Sequence, residues 1–120
     1  ERPMPFYIGV PAVEGNKIRL TWDTSYDFDQ ENIAYTVEIA SDYQFQNVLY
    51  SQQNIRIPEL EIDLLPEGQY FLRIQATNAS GKTQTAFDYY VVDSRKIYGT
   101  KCFYVLADGT IEEDIYVEGE

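Results

Sequence analysis

Residues 60–81 spell out two strands, the corner that joins them and the turn that follows. Leu60, Ile62 and Leu64 alternate with Glu61 and Asp63; Leu65-Pro66-Glu67-Gly68-Gln69 breaks the run; Tyr70, Leu72, Ile74 and Ala76 then alternate with Phe71, Arg73, Gln75 and Thr77. Successive side chains of a strand point to opposite faces, so a period of two means one dry face and one wet face. A tyrosine set just after a Leu-Pro-x-Gly corner can bury its ring and return its hydroxyl to a backbone group upstream, a device that closes Greek-key sandwiches. Leu65 and Tyr70 are therefore expected to be structural residues of an all-β sandwich.

The rest of the chain fits that expectation. Residues 4–10, bracketed by Pro3 and Pro11 and holding Pro5, suit an edge strand, because proline cannot donate to a ladder. Glu14-Gly15-Asn16 is a turn, and residues 17–23 form a strand with Ile18, Leu20 and Trp22 on one face. Ile33, Tyr35, Val37 and Ile39 join that face from the next strand, so Trp22 and Tyr35 are core anchors. Residues 48–50 make a short strand leading into a weakly patterned stretch, and residues 85–92 a further strand with Phe87, Tyr89 and Val91 inward. That is about seven strands with turn signals roughly every eight to twelve residues. No stretch sustains a helical period.

Trp22, Tyr35, the corner at residues 65–70 and the turn Ala76-Thr77-Asn78-Ala79-Ser80-Gly81 together resemble the fibronectin type III family over residues 5–93. The resemblance implies an immunoglobulin-like sandwich and leaves the function open, since sites are grafted onto folds. Residues 94–120 lie beyond what that family needs. There Ala107-Asp108-Gly109 separates two strand-like runs, residues 102–106 and 110–117, and Asp-Gly in that setting signals a hairpin. A lone hairpin is marginal in water, so residues 94–120 are expected to pack as an extension on a sandwich made by residues 1–93. Trp22-Asp23 with Asp27, Asp42-x-x-Phe45 and the added hairpin resemble modules of bacterial surface proteins, in particular those beside the kinase-like domain of the spore-coat protein H family. That implies an accessory, spacer or protein-interaction role in a larger extracytoplasmic protein, with other domains of the same parent as partners. None of that family's kinase residues is carried over.

Composition narrows the chemistry. Twenty acidic residues against nine basic ones, with no histidine, give a net charge of −11, which repels phosphate backbones and anionic headgroups. Nucleic acid is excluded as a partner on that ground, and no apolar run is long enough to cross a bilayer. The chain opens at Glu1 without an initiator methionine or an apolar leader, which reads as a segment excised from a longer protein whose targeting signal lies elsewhere. Lack of histidine removes the commonest general base and all imidazole metal sites, and a single cysteine removes thiolate zinc sites. No catalytic residue, cofactor or metal is expected. Cys102, in an apolar run, is expected to be a buried, inert thiol. Asp27, Asp29 and Glu31 crowd the loop at residues 24–32, but the glycine and terminal glutamate of an EF-hand are missing, so a solvated acidic loop is expected. No phosphate-binding glycine loop and no Arg-Gly-Asp tripeptide occur.

Aromatics leave one alternative open. Tyr26, Phe28, Tyr43, Tyr50, Phe71 and Tyr90 fall outside the predicted core, and flat rings on a sheet can stack on sugar rings. Phe71 and Tyr90 are the candidate ligand face of a carbohydrate-binding module; the competing expectation is that the C-terminal hairpin docks on them. The test is whether a ladder of aromatics stays exposed once that hairpin is in place. Asn78-Ala79-Ser80 matches the N-glycosylation sequon, a pattern common by chance.

Overall fold

A computed structural model describes residues 2–26 and 32–114. Among the described residues there are eleven strands and no helix: β1 (Ala12–Glu14), β2 (Lys17–Thr21), β3 (Ala34–Ala40), β4 (Val48–Ile55), β5 (Glu59–Asp63), β6 (Gly68–Thr77), β7 (Thr83–Thr85), β8 (Tyr89–Val92), β9 (Arg95–Tyr98), β10 (Thr100–Val105) and β11 (Ile111–Glu113). They form an all-β, two-sheet sandwich. One sheet has the order β1-β2-β5; the other runs β11-β10-β6-β3-β4, with β7 also paired to β6. Strands β8 and β9 make a separate hairpin.

The core is the sum of the alternating positions. Ile18, Leu20 and Trp22 meet Tyr35, Val37, Ile39, Tyr70, Leu72 and Ile74 between the sheets, all buried, with Leu60, Leu64 and Leu65 packed at the margin. Each fully buried aliphatic or aromatic side chain contributes about 1.5–3 kcal/mol, which is why the period-two pattern dictates the register. Gly15, at φ 64°, supports the two-residue turn between Glu14 and Lys17. Ile18 then pairs with Ile62 and Leu20 with Leu60.

The N-terminal segment departs from expectation. Residues 4–10 make no regular edge strand, only a bridge from Ile8 to Trp22, and the ordered strand β1 lies further along. Pro3, Pro5 and Pro11 withhold their donors, and the remaining groups are shared between two neighbours. Gly9 N–H reaches Thr21 O at 2.9 Å and Asp23 N–H reaches Tyr7 O at 3.0 Å, while Phe6 O accepts Phe87 N–H at 2.8 Å from the other side. Strand β4 is also longer than expected. It runs to Ile55 with two register shifts against β3.

The second sheet differs most from the sequence reading beyond residue 85. After β7 the buried Ala86 is the last inward residue before the chain leaves the sheet, to return only at β10. Phe87 and Tyr89, expected inward, are exposed, and Val91 is half-buried. Asp93 and Ser94 then take φ 51° and 63° between the paired Val92 and Arg95. Positive φ at both central residues is the type I′ geometry that suits a two-residue hairpin. The strand that completes the sheet is instead β10, paired with β6 from Thr100↔Arg73 to Val105↔Gly68. Phe103 and Val105 belong to the main core, so the segment expected to lie on the sandwich as an extension supplies one of its sheet strands. The Asp108-Gly109 hairpin forms, with Gly109 at φ 82° and Leu106 N–H bonded to Thr110 O at 2.8 Å. Residues 115–117 of that hairpin, and Asp27, Phe28, Asp29 and Glu31 of the acidic loop, lie outside the described residues.

Candidate functional site

The four residues expected to be structural sit in the core or at its edge. Tyr70 donates its hydroxyl to Pro66 O at 2.6 Å and stacks its ring on Phe103 at 5.7 Å. Trp22 meets Tyr35 edge-on at 5.4 Å, and the Tyr35 hydroxyl accepts Ser25 N–H at 2.8 Å. Leu65 is half-buried against the same cluster.

Phe71 and Tyr90 do not form an open face. Phe71 is only 4% exposed, although its position alternates with the core. Ala40, Phe71 and Cys102 stand side by side across β3, β6 and β10 on the outer face of the sheet, and Phe45, Tyr43 and Tyr90 close over them. Tyr90 meets Phe71 edge-on at 5.2 Å. Asp42 shapes one end of this cover: its carboxylate accepts Gln46 N–H at 3.0 Å and Asn47 N–H at 2.8 Å, turning the chain so that Phe45 lies over the sheet with the Arg73 guanidinium 4.1 Å from its ring centre. Those N–H donors hold the Asp42 carboxyl below the usual carboxylate range. Burial pushes the Cys102 thiol up to about 12, only partly opposed by the Gln69 amide at 3.3 Å. A nucleophile so protonated is inert.

The exposed aromatics lie elsewhere. Tyr7 is 57% exposed, Phe87 45%, Tyr89 41% and Tyr98 66%. Tyr7 meets Phe87 edge-on at 5.9 Å and Tyr89 leans on Tyr98 at 6.0 Å. Tyr7, Phe87 and Tyr89 line one cleft of about 270 Å³ together with Asp88, Lys101, Cys102 and Asp114. Asp88 holds the place together. Its Oδ1 accepts Ile8 N–H at 2.8 Å, its backbone carbonyl accepts Gly99 N–H at 2.7 Å, and its Oδ2 lies 3.7 Å from the Lys101 ammonium, which also pairs with Glu113. All three side chains of that network are less than one-fifth exposed. Removing one partner from such a network leaves a poorly solvated charge, so the N-terminal segment, the β7–β8 connection and β10 are locked in register.

A solved structure has the same fold. The "Twitchin kinase region from C.elegans (Fn31-NL-kin-CRD-Ig26)" superposes with a TM-score of 0.51 over 92% of this chain at 21% identity. The chain spans about a fifth of that structure's length, 20%. At that identity the likeness concerns the sandwich alone. No family model matches the chain, and no curated protein does.

Sequence reasoning missed the strip because its members come from three segments. The local pattern places Tyr7 on an edge strand, Phe87 and Tyr89 on a core face, and Tyr98 in no element. The signal that could have found it is Tyr-Tyr-Val-Val and Arg-Lys-Ile-Tyr flanking Asp93-Ser94, two β-rich runs about a two-residue polar break. The sequon asparagine, by contrast, is an internal brace: Asn78 is buried and its Oδ1 accepts Lys82 N–H at 2.9 Å in the β6–β7 turn.

Proposed function

We propose that this chain is a fibronectin type III-like, non-enzymatic recognition module of a larger, extracytoplasmic bacterial protein, and that its contact surface is the strip formed by Tyr7, Phe87, Tyr89 and Tyr98. The exposure of these four rings carries the reading. Large aromatics are enriched where proteins bind and are rare as neighbours on an idle surface. Their support is rigid, through Asp88 and Lys101, as a preformed site requires. The setting in a surface or spore-coat protein draws on Trp22-Asp23, Asp42-x-x-Phe45 and the Asp108-Gly109 hairpin. The sandwich match to part of a much longer chain is in keeping with a module among other domains.

In the parent protein, Tyr7→Ala, Phe87→Ala and Tyr98→Ala made together are expected to leave the chemistry of the other domains unchanged and to release the protein from the cell or spore surface. Undiminished retention by a correctly folded triple variant would overturn the assignment of the strip.

A further inference from the structure

We infer that the cleft between Tyr7, Phe87 and Tyr89 binds a sugar ring of a neutral glycan; the inference rests on the recognition-module reading and names the ligand of that same strip. Size is the first argument. About 270 Å³ falls just below the roughly 300–1,000 Å³ of sites for drug-sized ligands, which leaves room for one six-membered ring and its substituents. The second argument is surface chemistry. A pyranose has faces of C–H bonds and a rim of hydroxyls, and the C–H hydrogens are attracted to the electron-rich face of an aromatic ring. Here three aromatic rings line the cleft, and Asp88 and Asp114 in the same lining carry carboxylate oxygens with lone pairs for hydroxyl donors. Tyr98, leaning on Tyr89, extends the aromatic surface past the cleft, as a second ring of a chain would need.

Charge selects the neutral ligand. Among the described residues of the cleft lining the one cation, Lys101, is paired with Asp88 and Glu113, so a uronate or phosphate finds no unpaired cation in that lining and meets a protein of net charge −11. A cationic peptide is served little better. A ligand ammonium would have to compete with Lys101 for Asp88 and Glu113, which share that one positive charge, and with the Lys96 ammonium, which stands 4.8 Å from the centre of the Tyr89 ring. An uncharged polyol needs neither Lys101 nor its carboxylates freed and can stack on Tyr7 and Phe87, whose rings hold no cation among the described residues.

The probes are cellohexaose, laminarihexaose, mannohexaose and chitohexaose, each titrated to about 10 mM, ten times a 1 mM dissociation constant, into the isotopically labelled 120-residue chain. At least one should shift the backbone amides of Tyr7, Phe87, Tyr89 and Lys101, with a dissociation constant that does not change between about 20 mM and about 0.5 M NaCl. Tyr7→Ala and Phe87→Ala should each weaken binding about tenfold or more while leaving the amide spectrum of the core intact. No shift with any of the four, or shifts that persist in both variants, overturns the inference. Binding of a lysine-rich peptide to the cleft that weakens steeply with salt overturns it as well. The recognition-module reading fails separately, through undiminished surface retention of the triple variant; loss of retention without glycan binding leaves that reading standing and the neutral glycan rejected.

Discussion

Tyr70 has two jobs that can be separated by substitution. Its hydroxyl bond to Pro66 O fixes the corner, and its ring fills space against Phe103. Tyr70→Phe should lose about 1 kcal/mol, the net value of one hydrogen bond, and Tyr70→Ala about 3–5 kcal/mol as the cavity is added. Urea unfolding should show that order; equal stability of both variants and the wild type would remove the corner from the account. Cys102 gives a second residue-scale expectation. With its thiol pushed up to about 12 by burial, it should resist a disulfide reagent at pH 8 in the native state and react at once in denaturant. Fast native labelling would contradict the burial. Asp42 gives a third. Its carboxyl is held low by Gln46 and Asn47 N–H groups, so the stability it contributes is present above the unfolded value of about 3.9 and is lost as pH falls through the lower folded value. Asp42→Ala should therefore melt below the wild type at pH 7, and the gap should close as the wild-type carboxyl takes up its proton. A gap that is constant with pH would assign the effect to packing.

At the scale of elements, the β8–β9 hairpin lies over the outer face of the sheet and decides what is wet there. Its turn places Asp93 and Ser94 in the left-handed region, which costs ordinary residues roughly 1–2 kcal/mol each. Replacing the pair by Asn-Gly, the sequence this turn prefers, should raise the thermal midpoint. Gly99, where β9 hands over to β10, should show the opposite. It sits at φ 78°, and a Cβ there would lie 2.9 Å from the Cβ of Thr85, so Gly99→Ala should lower the midpoint and loosen Tyr90 from Phe71. An unchanged midpoint would mean that the hand-over can shift without cost. The same hairpin explains how far the elements were legible. Alternation identified Ile18, Leu20, Trp22, Tyr35, Val37, Leu72 and Ile74 correctly, because one face of each strand meets the opposing sheet and buried area enforces the period. The rule assumes that the other face is in water. Phe71 breaks that assumption, since Tyr90 and the Asp42 turn cover it, and this covering is a tertiary event that no local pattern carries. The strip was illegible for the same reason: Tyr7 meets Phe87, and Tyr98 meets Tyr89, through the Phe87 N–H bond to Phe6 O and the bonds of Ile8 and Gly99 N–H to Asp88, from segments apart in the chain.

At the scale of the whole molecule, the question is which segments fold as one. A boundary after Asp93 separates β6 from β10, yet these strands pair along six residues, Thr100 to Val105 against Gly68 to Arg73. Without β10 the first half of β6 becomes a sheet edge, with Tyr70 and Leu72 no longer covered by Phe103 and Val105. Loss of those two core side chains alone removes about 3–6 kcal/mol at about 1.5–3 kcal/mol each, against a total stability of about 5–15 kcal/mol for a typical domain. The Lys101 link to Asp88 and Glu113 goes as well, leaving Asp88 without its cation. Residues 1–93 alone should therefore give no cooperative thermal transition and should bind a hydrophobic dye, and a peptide of residues 94–120 added in trans should restore the transition by filling the vacant position beside β6. A cooperative melt of residues 1–93 near the midpoint of the full chain would make β10 dispensable and return residues 94–120 to the status of an appendage.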